Sequence, residues 1–299
     1  TRADLEDWFG KLMKEYEKWA RFQLDWKETC RDSIRSLEFP FPYREGQREL
    51  AAGVYRTILR KKRLFIQAPT GVGKTISTVF PAVKAVGEGL GDRIFYLTAK
   101  TVARTVAEEA FRILRKDGLR MKNVTLTAKE KLCVCEEVEC NPDACPCAAG
   151  HFDRINDAVY ELLTEGPDEI SRDVILEQAG KHQVCPFELS LDTASWTDVI
   201  ICDYNYVFDP NVRLKRFFGE GVRGDYLCLI DEAHNLVERS REMFSAAVCK
   251  EDFLELKRKL KGRDKKTERA LERCNRYLLG LKRECETWQL HENVDPFLL

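Results

Sequence analysis

The segment from Ala68 to Thr75, with the sequence APTGVGKT, constrains the fold of this chain more than any other stretch. A short apolar run, Leu64–Ile66, precedes it and predicts a strand, and residues 76–86 have a helix-compatible pattern. A phosphate-binding loop requires a strand, a glycine-rich loop and a helix in this order. Gly71 and Gly73 permit the tight turns that point successive N–H groups at phosphate oxygens. The alternative, a glycine-rich turn followed by a chance Lys-Thr pair, is disfavoured by that context.

This loop predicts a site for ATP and Mg²⁺. The N-terminus of the following helix attracts phosphate, Lys74 would reach the β- and γ-phosphates, and the Thr75 hydroxyl would ligate Mg²⁺. Ala68 stands where the motif usually has its first glycine, and a small residue still fits there. Upstream, the amide of Gln47 could bind the adenine edge, although a glutamine after a turn usually just starts a helix. The predicted nucleotide-binding residues are Tyr43, Arg44, Gln47, Thr70, Gly71, Val72, Gly73, Lys74 and Thr75.

A second motif follows the apolar run at residues 227–230, which ends in Asp231, Glu232, Ala233 and His234. Asp231 would hold Mg²⁺ directly or through water, and Glu232 would orient and deprotonate the attacking water. His234 could couple the nucleotide to a neighbouring domain. Because both motifs follow strands, we expect them at the carboxyl edge of one parallel sheet. The predicted catalytic residues are Lys74, Asp231, Glu232 and His234.

Two further strand ends carry polar and aromatic side chains. Residues 93–98 read as a strand followed by a helix, and residues 198–202 as a strand followed by an aromatic turn. Hydroxyls, a lysine and a helix N-terminus can bind a nucleic-acid backbone, and aromatic rings can stack on bases. An ordinary capped helix and a turn with buried aromatics are the alternatives. The candidate DNA contacts are Thr98, Lys100, Thr101, Tyr204 and Asn205.

Cysteine is abundant in this chain, with 12 residues, five of them between residues 133 and 147. No secretory signal opens the chain, so the clustered thiols favour metal or cluster ligation over disulfides. The residues alone leave iron–sulfur and zinc open, although the absence of a Cys-x-x-Cys pair argues against a zinc ribbon. Cys202 and Cys228 lie within predicted strands and are expected to be buried. The net charge of −1 gives no overall basic field, and no apolar run is long enough for a membrane span.

The rest of the chain reads as helices and boundaries. Residues 1–38 show helical apolar spacing that ends at Phe39-Pro40-Phe41-Pro42, residues 148–184 read as a helical excursion from the sheet, and residues 236–299 read as a charged helical hairpin. At 299 residues there is length for about two domains. Thr1 in place of methionine and the abrupt apolar end suggest a piece of a longer protein.

Taken together, residues 39–235 resemble the first motor domain of the XPD/DinG-like, superfamily 2 iron–sulfur DNA helicases. The resemblance implies an α/β fold: a P-loop NTPase, RecA-like parallel sheet with helices on both faces, a small cysteine-rich cluster insertion and a helical, arch-like C-terminal segment. It implies ATP, Mg²⁺ and a 4Fe–4S cluster as cofactors. It also implies a monomer in the cytoplasm that moves 5′ to 3′ on single-stranded DNA and opens a DNA fork. The implied domains are residues 1–38, a helix from an upstream region; 39–130 with 190–235, the motor; 131–189, the cluster insertion; and 236–299, the start of the arch.

By the same resemblance, Cys133 matches the first cluster ligand and Cys185 the last. The middle two come from Cys135, Cys140, Cys145 and Cys147, and Cys140 with Cys145 fit best because relatives space the middle pair closely and well past the first ligand. Such helicases also need a second motor domain, which supplies arginine fingers and is missing here, so this chain alone is expected to hydrolyse ATP poorly. A zinc-stabilised nucleic-acid-binding module with a relic nucleotide site is the alternative.

Overall fold

The protein is described from a computed structural model, which describes residues 1–69, 71–99 and 101–290. For residues 101–103 it describes the helical backbone but not the side chains. Five strands form one sheet: β1 Arg93–Leu97, β2 Asn123–Thr125, β3 Glu169–Ile170, β4 Val199–Cys202 and β5 Tyr226–Ile230. The helices are α1 Arg2–Ser36, α2 Gln47–Leu59, α3 Lys74–Gly87, α4 Thr101–Lys116, α5 Lys129–Leu132, α6 His151–Thr164, α7 Arg172–His182, α8 Pro186–Ala194, α9 Asn205–Phe208, α10 Lys215–Phe218, α11 Leu236–Met243, α12 Lys250–Leu260 and α13 Lys265–Glu284. Within the described ranges no helix is long and apolar enough to cross a bilayer.

The sheet has the strand order β3-β2-β4-β1-β5, and every pairing is parallel. Side chains alternate between its two faces, as the period of a strand requires. Phe95 of β1 packs in one hydrophobic cluster with α6, α7 and α8, whereas its neighbour Ile94 packs in another with α1, α3 and α4. This confirms the predicted α/β class with helices on both faces of a parallel sheet.

Three local predictions were wrong. The run Leu64–Ile66 forms no strand, and Phe65 is 88% exposed, because β5 pairs only with β1 among the described residues. For the same reason Cys228 lies on an exposed edge strand, while Cys202 is buried as expected. Residues 148–184 do not leave the sheet, since they contain β3 and helices of its core.

Helix α1 is fastened to the amino-terminal edge of the sheet by its second half. Trp26 Nε1 donates to Asp198 Oδ2 at 3.0 Å, and the backbone N–H of Lys122 donates to the same oxygen at 2.8 Å. The Lys122 ammonium is 4.5 Å from the centre of the Trp26 ring and 3.0 Å from Asp168 Oδ1. Lys122 is only 2% exposed. Its buried ion pair with Asp168 and its contact with Trp26 therefore hold the second half of α1 against the sheet.

We expect this anchor to respond to pH. Burial raises the pKa of Asp198 to about 6, against the opposing hydrogen bonds from Lys122 and Trp26. Since the folded-state pKa lies above the unfolded value of 3.8, the folded state gains stability as pH falls through about 6 and loses that gain as pH rises. Asp198→Asn cannot titrate here. The wild-type thermal midpoint should therefore rise relative to that of Asp198→Asn between pH 7.5 and pH 5, and parallel pH profiles would contradict this.

The chain divides into two compact units, Thr1–Met243 and Phe244–Leu299. The second unit contains the predicted helical hairpin: α12 and α13 pack on each other and are joined by an ion pair between Lys257 and Glu272. Asp264 caps α13, since its Oδ1 accepts from the backbone N–H of Lys266 at 2.9 Å and of Thr267 at 3.2 Å.

Candidate nucleotide-binding site

The two sequence motifs meet at the carboxyl edge of the sheet. Strands β1 and β5 pair in register up to Leu97 and Ile230, and the N–H of Asp231 extends the ladder by donating to Leu97 O at 2.9 Å. Helix α3 starts at Lys74 and packs against both strands. Parallel strands deliver their carboxyl ends to one edge, which is why segments far apart in sequence form one site.

The side chains of the two motifs influence one another electrostatically. Burial raises the pKa of Asp231, the negative charge of Glu232 raises it further, and the Lys74 ammonium opposes the shift. Tyr96 lies between the two motifs. Its buried hydroxyl is hydrogen bonded to Thr75 of the phosphate loop, and its pKa is raised first by burial and then by the charge of Asp231. The structure thus gathers Lys74, Thr75, Asp231 and Glu232, the donor set suited to a phosphate and a divalent cation.

Contacts within the protein hold the glycine-rich loop in place. Lys74 Nζ donates to Ala68 O at 3.0 Å, and Arg44 donates to Gly71 O at 2.9 Å. Gln47 Nε2 donates to Val72 O at 2.6 Å, while its Oε1 accepts from the N–H of Arg44 at 2.8 Å. Both ends of the Gln47 amide are therefore engaged by protein.

This differs from the expected role of Gln47 and its neighbours as readers of adenine. Gln47 and Arg44 brace the loop, and the Tyr43 ring stacks on Phe39 with centroids 4.2 Å apart. Tyr43 is still 44% exposed, so one of its faces remains open to a base. Thr70 lies outside the described residues.

The brace predicts a specific mutational coupling. Gly71 and Gly73 both have positive φ, at 85° and 72°, so alanine strains the backbone at either position. A Cβ on Gly73 would lie 2.5 Å from Gln47 Nε2, whereas one on Gly71 meets nothing within 4 Å. Gly73→Ala should therefore lower the nucleotide-free thermal midpoint more than the matched Gly71→Ala. In a double-mutant cycle, Gln47→Ala should suppress the excess, with a coupling of about 0.5–3 kcal/mol. Additive effects would show that the amide does not brace the loop.

The acidic motif is held by a tyrosine that sequence reasoning assigned elsewhere. Glu232 adopts a left-handed backbone with φ of 47°, unusual for a residue with a Cβ. The hydroxyl of Tyr204 donates to the carbonyl oxygens of Asp231 and, at 3.2 Å, of Glu232. His234 Nδ1 is 3.4 Å from Glu232 Oε2 and the ring is largely exposed. Backbone strain of this kind persists where surrounding contacts enforce it and is common at functional sites.

The candidate DNA-contact residues differ in their exposure to solvent. Tyr204 is fully buried, so it cannot stack on a base, and Thr98 is 1% exposed; these placements correct the sequence-based assignment. Asn205 is partly exposed, and its Oδ1 accepts from Arg239 at 3.0 Å. Lys100 lies outside the described residues, as does the side chain of Thr101. The bracing roles of Tyr96 and Tyr204 were missed because nothing in the sequence pairs them with residues 21 and 27 positions away.

The cysteines of the predicted cluster lie near one another, in the segment that follows α5 and at the start of α8. Cys135 Sγ is 3.8 Å from Cys145 Sγ. Cys147 lies near Cys145, Cys185 and Cys133, and burial is the main cause of its raised pKa. Lys129 lies near the remaining thiol, Cys140. Its hydrogen bond to Cys140 is the main cause of the raised pKa of Lys129, and the nearby Cys185 adds to the shift. All four predicted ligands, Cys133, Cys140, Cys145 and Cys185, thus share one neighbourhood with Cys135 and Cys147.

These thiols are gathered but not arranged for metal. Among the described residues no three His, Cys, Asp or Glu side chains surround a common ion position. Residues 133–150, all described, contain only turns and bends and no buried side chain. Thiolate sulfur suits both iron–sulfur clusters and zinc, so the donor chemistry fits the predicted cofactor and the segment lacks a core that would fix its shape.

Comparison with known proteins adds independent findings. The DEAD_2 family profile matches residues 98–253. Regulator of telomere elongation helicase 1 of Homo sapiens is 23% identical over 267 residues, which cover 73% of this chain and 22% of that protein. The general transcription and DNA repair factor IIH helicase subunit XPD of Dictyostelium discoideum is 22% identical over 236 residues, covering 68% of this chain and 30% of that protein.

Solved structures agree on the fold. The structure titled XPD_Helicase gives a TM-score of 0.53 at 18% identity, covering 79% of this chain and 40% of that one. The structure titled Truncated XPD gives 0.54 at 18% identity, covering 79% and 65%. At this identity the likeness establishes the fold alone. The chain spans 22% and 30% of the two curated relatives, so it corresponds to one part of them.

Proposed function

We propose, from the premise that this chain belongs to the DEAD_2 family, that it is the first motor domain of an ATP-dependent DNA helicase. It would couple ATP hydrolysis to 5′-to-3′ movement on single-stranded DNA and to opening of a fork, in DNA repair or replication. The observation that carries this proposal is the convergence of Lys74 and Thr75 with Asp231 and Glu232 at one sheet edge. A structural P-loop without chemistry has no use for a paired, partly buried acidic motif.

Each residue of this group has a distinct role in the proposed reaction. Lys74 would bind the β- and γ-phosphates, and Thr75 with Asp231 would hold Mg²⁺, which neutralises charge on the phosphates. Glu232 would orient the attacking water and accept its proton. Tyr204 and Tyr96 touch neither phosphate nor water; they position Asp231, Glu232 and Thr75 through the hydrogen bonds described above.

DNA would pass the same carboxyl edge. We assign its backbone contacts to Lys100, Thr101 and Asn205, which follow β1 and β4. A second motor domain of the same polypeptide would complete the ATP site with arginine fingers, an effect of about 10³–10⁵ in rate. This chain alone would then bind nucleotide and hydrolyse it slowly as a monomer.

The thiol neighbourhood would carry a 4Fe–4S cluster, with Cys133, Cys140, Cys145 and Cys185 as ligands. Support comes from the donor chemistry and from anchors at three of the four positions. Cys133 ends α5, with its N–H on Lys129 O at 2.8 Å; Cys145 closes a turn on Asn141 O at 2.9 Å; and Cys185 caps α8. When bound, the cluster supplies the cross-links that residues 133–150 lack.

The proposed function has a direct test in the longer polypeptide expected to contain this chain. Lys74→Ala should lower DNA-stimulated ATP hydrolysis about 100-fold, since it removes a preorganised positive charge from the transferred phosphate. Lys116→Ala, an exposed lysine at the end of α4, is the matched control and should leave the rate unchanged. Undiminished hydrolysis by Lys74→Ala would refute the motor assignment. Zinc in place of iron after anaerobic purification would favour the nucleic-acid-binding alternative.

A further inference from the structure

The segment between α5 and α6 offers more thiols than one cluster uses. Cys133 and Cys135 form one Cys-x-Cys pair, Cys145 and Cys147 form another, and Cys140 lies between them. With Cys185 this makes six thiols in one neighbourhood, whereas a 4Fe–4S cluster takes about four cysteine ligands. The proposed ligand set therefore leaves Cys135 and Cys147 without an assigned role.

The two Cys-x-Cys pairs face each other across the turn. Cys135 Sγ is 3.8 Å from Cys145 Sγ, and Cys135 also contacts Cys133. A 4Fe–4S cluster takes one cysteine per iron, so Cys135 would not share an iron with Cys145, but its sulfur lies only 3.8 Å from the sulfur that it would replace.

The backbone lets Cys135 move while its neighbours stay fixed. Cys133 is held at the end of α5, and Cys145 is held by a turn in which Asn141 accepts three N–H groups. Cys135 has neither constraint, since residues 134–140 form only bends and extended chain with mostly exposed side chains. A small backbone shift could therefore carry its sulfur into the position of Cys145 without disturbing the sheet.

We propose that Cys135 is a reserve ligand that takes the coordination position of Cys145 when Cys145 is lost or modified. This inference rests on the proposed cluster. It makes the chain tolerant of the loss of Cys145 and intolerant of the loss of Cys133 or Cys185, whose backbones are fixed at the ends of α5 and α8.

The test is the metal content of anaerobically purified variants of the full chain, which does not depend on activity. The wild type should hold about four irons with matching acid-labile sulfide. Cys135→Ala should match it, and Cys145→Ala should keep more than about half the iron, with a shifted visible spectrum because one iron has a different ligand. Cys135→Ala/Cys145→Ala should fall at least about fivefold below the wild type.

A matched double variant controls for the number of thiols removed. Cys145→Ala/Cys147→Ala retains Cys135 and should hold as much iron as Cys145→Ala. Far-UV circular dichroism verifies that each variant keeps its sheet. If Cys145→Ala alone loses as much iron as the double variant with Cys135, or if that double variant keeps its iron, the reserve role is wrong. A colourless wild type without iron would instead remove the proposed cluster itself, which no cysteine variant can mimic.

Discussion

Replacing Glu232 with glutamine is expected to lower kcat for ATP hydrolysis about 10³-fold in the intact motor while leaving nucleotide affinity within about threefold. The glutamine keeps the size of the side chain and can still orient water, but it cannot accept the proton. Because Tyr204 fixes the backbone carbonyls of Asp231 and Glu232, the substitution should leave Asp231, the proposed Mg²⁺ ligand, in place. The loss should therefore appear in kcat and not in binding of a fluorescent nucleotide.

The chain offers a matched control for this charge change. Glu238→Gln removes one carboxylate from α11, where Glu238 is 79% exposed and pairs with Arg241, and should leave kcat unchanged. Asp231→Asn should act differently from Glu232→Gln, since loss of the Mg²⁺ ligand weakens nucleotide binding as well as hydrolysis. If Glu232→Gln retains wild-type turnover, another residue is the base and the acidic motif has been misassigned.

The carboxyl edge of the sheet could be predicted because its signals are local. β1, β4 and β5 read as apolar runs, the phosphate loop directly precedes α3, and the acidic pair directly follows β5. Parallel topology then brings their ends together without any knowledge of side-chain packing. The comparisons confirm the helicase-family resemblance on which the rest was built.

Other features depend on partners that the sequence does not reveal. The apolar run Leu64–Ile66 is strand-like in composition, yet a strand needs a neighbouring strand, and the part of the chain that the structure describes offers it none. Residues 148–184 read as a helical excursion from the sheet, but α6 and α7 place Leu162 and Ile175 in its core. The apolar periodicity of a helix or strand shows which of its faces is apolar, but it does not show which element packs against that face.

Buried polar contacts are the least predictable class. Trp26 and Asp198 are separated by 172 positions, and only the fold shows that one donates to the other. Tyr204 illustrates the same limit, because an aromatic residue after a strand fits a DNA surface and a buried brace equally well. The hydroxyl that binds Asp231 O decides between them.

If the thiols bind the proposed 4Fe–4S cluster, stripping it with an oxidant and a chelator should release residues 133–150 while sparing the sheet. This segment buries none of its side chains, so metal bonds would be its main restraint, and structural metal sites of this kind contribute on the order of 10 kcal/mol. Neighbouring α6 and α8 pack in the core of the first unit and should stay folded. A glutamate-specific protease should then cut after Glu136, Glu137 or Glu139 at least about tenfold faster, with the thermal midpoint of the sheet nearly unchanged.

The control is a protein that never holds the metal. Cys133→Ala/Cys185→Ala should be cut quickly before treatment and should not respond to it, which separates metal loss from oxidative damage. Resistance of the stripped wild type would mean that protein contacts shape the segment, and the thiols would then serve something other than its architecture. Cleavage spreading into α6 would mean that the metal supports the sheet itself. The connection would run through the backbone N–H of Cys185, which donates to Nδ1 of His151 at the start of α6 at 3.4 Å. Only cleavage confined to residues 133–150 is consistent with a segment that is held in shape by a metal and a sheet that is held in shape by its own hydrophobic core.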